Sequence, residues 1–378
     1  MNYKRLGELR TEVGDRRFAM QITDDIRSGK FPVAEASLKG LWEACGSPHL
    51  TEWNDVEAGT IVEENIAEAP GPSFFPTITG SLINKVVQDA YMLDPGVGMQ
   101  VVQVIDSAQK DDTIVGVSAD DELMEIEPGN PYPEGMMGEK YHKIRNRKWG
   151  RMISLTEETV KFDQTGQLAR RAANIGSRAR SKQEEIIFDA VLGLVTTGAY
   201  ASWRPAGTAT TLYSDTSNDP YTSGTLDNNI TETLADETDI DAAMVKLGAM
   251  TDEQGRYIAA NPDTLLVGVA LRATAQKLVG SSASLVSEKN AGVINIWQGL
   301  TAHSSPWVDA GLSALYWLFG EFKKQFVYTQ VFPLQVRQMK AGADAQFNRD
   351  VALAWRVRFM GGCGAVSNRY VIRSTGAG

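Results

Sequence analysis

The chain has 378 residues, 43% of them hydrophobic and 22% charged, with 47 acidic against 37 basic side chains and a formal net charge of -10. This is the composition of a folded protein of two or three compact units, and it excludes wholesale disorder. The acid excess argues against a protein that grips nucleic acid over its whole surface. The longest near-apolar run, Gly311–Gly320, is about half the roughly 20 residues of a membrane-spanning helix, so no membrane partner is expected.

The amino terminus, MNYKRLGELRTEVGDRR, carries charges where a secretory signal needs an apolar core. The sequence opens at Met1, so the expectation is that no leader has been removed. Cys45 and Cys363 are the only cysteines; they make no disulfide framework and point to synthesis in a reducing cytoplasm. Residues 1–72 read as an extension rather than a core. Two short amphipathic helical patches, near Leu6–Arg27 and Val33–Cys45, run into acidic sequence broken by Pro70, Pro72 and Pro76. Thr77 or Thr79 then caps a helix carrying Leu82, Ile83, Val86, Val87 and Ala90.

Val101–Gly116 fits a strand. Residues 111–127 hold Asp111, Asp112, Asp120, Asp121, Glu122, Glu125 and Glu127 with no Lys or Arg. The turn sequence PGNPYPEGMMG follows, and then a basic run, EKYHKIRNRKWGRM, with Lys140, Lys143, Arg145, Arg147, Lys148 and Arg151 interleaved with Tyr141, His142 and Trp149. Two extended arms around a Gly/Pro-rich tip predict a long β-hairpin, one arm acidic and one basic. Neither arm has an apolar face, and an isolated hairpin is at best marginally stable in water, so it needs support from outside itself.

Residues Thr165–Val195 predict a long helix, with Leu168, Ala172, Ile175, Ala179, Ile186, Ala190 and Leu194 near helical spacing. Residues 198–236, rich in Gly, Thr, Ser, Asp and Asn, read as loop. Asp239–Met250 and Pro262–Leu278 read as helix or helix–strand units, with LLVGVAL a buried strand. The C-terminal part turns to strands. In the last, Val351, Leu353, Trp355, Val357 and Phe359 share one face and are the expected core, while Ala352, Ala354, Arg356 and Arg358 share the other.

The search for chemistry returns little. Cys45 and His49 lie within four positions of each other, but a zinc site needs two further ligands. No G-x-S-x-G elbow occurs, and the glycine-rich Met360–Ala365 sits between strands rather than at a strand-to-helix phosphate cradle. A small residue in a tight connection is the plain reading of Cys363. Carboxylate pairs such as Asp120/Asp121 and Glu157/Glu158 are ordinary in an acidic chain. No catalytic residue, metal ligand or cofactor is assigned, and a structural or binding role is the expectation.

The order of elements resembles the major capsid protein of tailed bacteriophages, the Hong Kong 97-type (HK97-like) α+β fold. YHKIRNRKWGRMISLTEETVKFD leading into LARRAANIGSRARSKQEEIIFDAVLG looks like that family's extended loop and spine helix, and FNRDVALAWRVRFMGGCGAVSNRYVIRS like its closing strands. The resemblance covers about Phe75–Ser374. It implies an N-terminal arm at 1–75, a helix and strand of a peripheral domain at 76–112, and an extended loop at 113–153. The peripheral domain then continues over 154–236 with a spine helix at about 165–195. An axial domain at 237–345 and closing peripheral strands at 346–378 complete the plan. It further implies self-assembly into hexamers and pentamers of an icosahedral shell around double-stranded DNA, bound without sequence-specific recognition. A portal, scaffolding proteins and decoration proteins are the other implied partners. Residues of the loop expected at inter-subunit contacts are Asp120, Asp121, Glu122, Glu125, Lys143, Arg145, Arg147, Trp149 and Arg151. No cross-linking pair is transferred. Two other readings stay open: a nucleic-acid-binding protein using residues 140–151, and an enzyme without a recognisable motif.

Overall fold

The computed structural model describes residues 3–31, 38–45, 75–119, 137–156, 167–215, 221, 226–253, 255–280, 296–338 and 351–377. In chain order the helices are α1 (Tyr3–Val13), α2 (Asp15–Ser28), α3 (Leu38–Ala44), α4 (Phe75–Met92), α5 (Gly98–Val101), α6 (Gln167–Val191), α7 (Glu237–Gly248), α8 (Arg272–Gly280), α9 (Pro306–Gly311) and α10 (Phe322–Gln325). The strands are β1 (Gln103–Asp106), β2 (Asp111–Ala119), β3 (Met137–Arg145), β4 (Arg147–Thr156), β5 (Asn229–Ile230), β6 (Thr264–Val267), β7 (Thr301–Ser304), β8 (Trp317–Gly320), β9 (Phe326–Gln338), β10 (Val351–Ala365) and β11 (Val371–Ser374). The architecture is mixed α and β, and the chain divides into two compact units.

The first unit comprises Met1–Pro95, Lys148–Lys182 and Phe332–Met360. Its core is built from helical stripes. Phe18, Ile22 and Ile26 recur every four residues on α2, and Ile78, Leu82, Ile83 and Val87 line α4; Leu168 and Ala172 of α6 meet them. Ile153 of β4, Val336 of β9, and Trp355 and Val357 of β10 complete the cluster. Trp355 is fully buried; Phe359 is buried as well, while Arg356 is exposed. The side chains of Val351 and Leu353 lie outside the described residues. Ala354, on the opposite face from Trp355, is also buried, because a small side chain on a two-sided strand needs little room.

The amino-terminal helices correct an expectation. They are not an extension without a core, because Phe18, Ala19, Ile22, Ile26, Leu41 and Cys45 bury their apolar stripes within this same unit. The proline-broken stretch beyond them lies outside the described residues. Gly176 explains how α6 comes so close to α4: a Cβ there would stand 2.3 Å from the Val87 carbonyl oxygen and 3.1 Å from the Ala90 Cβ.

The second unit comprises Gly96–Arg147, Gln183–Val331 and Gly361–Gly378. Its centre is a five-stranded sheet in the order β5-β11-β8-β6-β7. Every residue of β6 and β8 is buried, which accounts for their continuous rather than alternating hydrophobicity. Period-two geometry sends successive residues to opposite faces. Leu266, Leu318 and Val371 therefore join one core with Phe188, Val191 and Leu192 of the α6 end. Leu265, Val267, Trp317, Phe319 and Ile372 join another with Ile240, Ala243 and Leu247 of α7. Helix α7 starts at a capping box in which Asp236 accepts from the Thr238 amide and Asp239 accepts back from the Asp236 amide, both at 3.0 Å. In the same unit β1 pairs in parallel with the first part of β9.

Candidate functional site

The two-stranded sheet of β2 and β3 is the hairpin, in a register from Asp111↔Arg145 at its root to Ala119↔Met137. Asp120, Asp121, Glu122 and Glu125, expected on its acidic arm, lie outside the described residues. Nine residues per strand at about 3.4 Å each give arms of roughly 30 Å.

The expected basic arm is not one strand. It breaks at Asn146, which is 2% exposed and tied down at its amide and at both polar atoms of its side chain. Its amide donates to the Lys110 carbonyl at 2.9 Å, and its Nδ2 donates to the Gln109 carbonyl at 2.8 Å and to Asp112 Oδ2 at 2.6 Å. Its Oδ1 accepts from Thr329 Oγ1 at 2.7 Å. Lys143 and Arg145 therefore stand on the hairpin, whereas Arg147, Trp149 and Arg151 stand on β4, which neighbours β10 in a different sheet. That is the correction to the single loop drawn over 113–153: buried side-chain hydrogen bonds at Asn146 end one strand and start the next.

The root is fastened by contacts the basic run does not announce. Beside β3, the Lys143 amide donates to the Arg204 carbonyl at 3.2 Å, and the Ala206 amide donates to the Tyr141 carbonyl at 3.0 Å. The Tyr141 hydroxyl donates to the Ala206 carbonyl at 3.0 Å. Lys140 Nζ and Arg369 Nη1 both reach Glu253 Oε1 at 2.5 Å. The side chains of this triad are 16%, 4% and 14% exposed for Lys140, Arg369 and Glu253. Burial alone would raise the Glu253 carboxyl; the hydrogen bonds and charges of Arg369 and Lys140 outweigh it and hold the group at about 2. Next to the triad His142 is buried against Tyr221, with ring centroids 6.2 Å apart, and neither of its nitrogens has a hydrogen-bond partner among the described residues. Its burial, then the charges of Lys140 and Arg369, lower it to about 4 against the weaker pull of Glu253.

Lys143, Arg145 and Arg147 of the run also find partners on their own chain. Arg145 Nε lies 3.4 Å from Asp111 Oδ1, and the guanidiniums of Arg145 and Arg147 stand 5.4 and 3.2 Å from the centroid of the Tyr200 ring. Lys143 Nζ is 5.6 Å from the Tyr141 ring, and Trp149 is covered by Lys182 Nζ at 4.6 Å. A single DNA-reading face is thus not what the basic run builds.

The glycine-rich stretch of β10 now has a physical reason. A Cβ on Gly362 would come 2.7 Å from the Arg145 carbonyl oxygen, one on Gly364 3.0 Å from Ile144 Cγ1, and one on Gly361 2.5 Å from the Tyr328 hydroxyl. The glycines admit the hairpin root against β10. Cys363 between them is half-buried, and desolvation of its thiol pushes the group up, away from the reactive thiolate. Cys45 sits in the first unit's core, and His49 lies outside the described residues. Among the described residues no group of three or more His, Cys, Asp or Glu is placed to hold a metal ion, and no helix is long and apolar enough to cross a membrane. Glu253, Arg369, Tyr200 and Asn146 carry no local signal of their roles: Glu253 is 113 residues from Lys140 and 116 from Arg369.

With this arrangement in view, a model of the phage capsid protein family matches residues 142–374, and the chain belongs to that family. It is a structural protein of the bacteriophage virion. Among solved structures it is similar to the capsid of a native GTA particle, at 11% identity over 76% of this chain and 89% of that one, with a TM-score of 0.44. It is likewise similar to a chain of Mycobacterium phage Cain, at 14% identity over 75% and 87% with a TM-score of 0.43. A third is the capsid of cyanophage P-SCSP1u, at 11% over 72% and 86% with a TM-score of 0.47. Comparison with curated proteins finds no match.

Proposed function

We propose that this capsid protein is the shell-forming subunit, assembling with copies of itself into hexamers and pentamers that enclose double-stranded DNA held without sequence-specific recognition. Portal, scaffolding and decoration proteins are its further partners in this reading. In the HK97-like plan, β2 and β3 are the extended loop and α6 is the spine helix. The β5-β11-β8-β6-β7 sheet with α7 and α8 belongs to the axial domain.

The observation that carries the reading is the hairpin: a projecting two-stranded sheet with a rigidly fastened root. Val115 on β2 is 64% exposed, and a two-stranded ribbon gains too little from its own pairing to hold its shape in water. Its root is anchored by a buried ion triad, which aims the arms without giving them a core. A second subunit beneath the arms supplies what they lack. Negative-stain microscopy of the expressed protein, alone and with the other virion proteins, is the test. Shells or capsomers are expected; a protein that stays monomeric at high concentration with all virion partners supplied would refute the reading.

A further inference from the structure

The hairpin root buries one titratable side chain whose polar atoms go unanswered. The His142 ring is 3% exposed, and neither Nδ1 nor Nε2 has a hydrogen-bond partner among the described residues. It sits in the middle of a seam between β3 and residues 204–206, where His142 and Pro205 form an antiparallel bridge. The backbone bonds of that seam flank it on both sides, from the Lys143 amide to the Arg204 carbonyl and from the Ala206 amide to the Tyr141 carbonyl. Tyr221 fastens the same strand, its hydroxyl donating to the Tyr141 carbonyl at 3.2 Å and accepting from the Tyr141 amide at 3.3 Å.

The charges around the ring leave no place for a proton. Lys140 on β3, Arg369 ahead of β11 and Glu253 after α7 act on it; Glu253 is the one carboxylate among them, and both cations already share its Oε1. Across the seam, Arg204 turns its guanidinium to the Ala199 and Gly207 carbonyls, and β2 sets apolar Ile114 opposite His142. The Tyr221 ring, 6.2 Å away, lies just beyond the roughly 6 Å at which a ring attracts a cation. A protonated imidazole would add a second donor and a full charge where two cations already stand. Burying such a charge without a partner costs more than exposing a few polar contacts to water.

We propose that His142 is an acid-released latch, whose protonation parts β3 from residues 204–206 and frees the hairpin while the rest of its unit stays folded. The closed seam binds this proton less well than an open one, so the closed form loses ground as pH falls from 6.5 toward 4. Glu253, held at about 2, stays charged through that window and keeps Arg369 paired as the seam opens. Opening stays local because polar contacts hold the seam, whereas two apolar clusters that no proton reaches hold the five-stranded sheet. The latch belongs to a single chain and does not depend on the shell reading.

Hydrogen exchange of the unassembled full chain, read by mass spectrometry with labelling times scaled for the intrinsic rate at each pH, tests it. Between pH 7 and pH 4, peptides covering 137–145 and 203–208 should speed up at least about tenfold, and peptides covering β6 and β8 less than about twofold. His142→Gln, neutral and polar, should abolish the rise although every carboxylate remains. If that variant has a lowered Tm at pH 7, His142→Phe takes its place. A rise that persists in the neutral variant, acceleration of all peptides together, or no rise at all overturns the proposal.

A second readout keeps the histidine itself. The chain has three histidines, so in H49Q/H303Q the only imidazole C2 proton resonance is that of His142. Its titration midpoint should coincide with the pH at which exchange in the seam rises. A midpoint near the ordinary 6.5 with the seam still protected overturns the proposal.

Discussion

Glu253→Gln removes one charge and keeps the side chain's shape, so it isolates the triad at the hairpin root. The native carboxyl is held at about 2 against an ordinary 4.5. At about 1.4 kcal/mol per pH unit, that difference corresponds to about 3 kcal/mol favouring the charged form. Removing one member of a buried pair costs about 3–5 kcal/mol by a separate route, because the partner charges stay behind. Here two cations stay behind, and the Arg369 side chain is only 4% exposed. Urea denaturation at pH 7 should therefore show the variant destabilised by about 3 kcal/mol. The sign with pH follows from a depressed carboxyl. The native chain keeps this contribution above pH 4.5 and loses it as pH falls through 2, so the two stability curves should converge at the acid end. Amide hydrogen exchange at Lys143 and Ala206 should speed up in the variant, since those amides tie the root to its neighbouring segment. A destabilisation under about 0.5 kcal/mol with unchanged exchange would mean that the carboxylate is solvated and the root is held by other contacts.

His142 acts in the same direction over a higher pH window. Its folded value of about 4 lies below the ordinary 6.5, so the folded state binds fewer protons and stability should fall by about 3 kcal/mol between pH 6.5 and 4. His142→Gln should flatten that slope in a pH series of urea titrations. Gly176→Ala should destabilise despite the roughly 0.8–1.0 kcal/mol by which alanine favours a helix. The clash with the Val87 carbonyl oxygen decides the sign, with a net loss of at least about 1 kcal/mol read as a lower Tm. Trp355→Ala should cost about 3–5 kcal/mol in the same assay, as expected for a fully buried aromatic; a change within about 0.5 kcal/mol would place it outside the core.

The long helix was legible because its apolar residues repeat at helical spacing, so Leu168 and Ala172 could be assigned to one face from local order alone. The hairpin was legible from two extended arms flanking a turn sequence. Where that second arm ends was not. Arg145 and Arg147 look alike in the run, yet the chain changes sheets between them because Asn146 is bonded to Gln109, Asp112 and Thr329. The amino-terminal stripes were visible too, but a stripe does not say whose surface it will cover, and Phe18 and Ile22 turned out to cover their own unit.

The charge segregation around the hairpin, the helix periodicities and the alternation before Phe359 are properties of neighbours in sequence, and the sequence alone determines them. The partners of those charges are not. Glu253 and Arg369 reach Lys140 from more than a hundred residues away, and Tyr200 comes to Arg147 from a stretch read as loop. The glycines of Met360–Ala365 have meaning only when another strand lies against them. Local pattern is set by side-chain spacing along one chain direction. Burial, ion pairing and close backbone approach depend on which distant segments the fold brings together, and at the hairpin root those segments decide the chemistry.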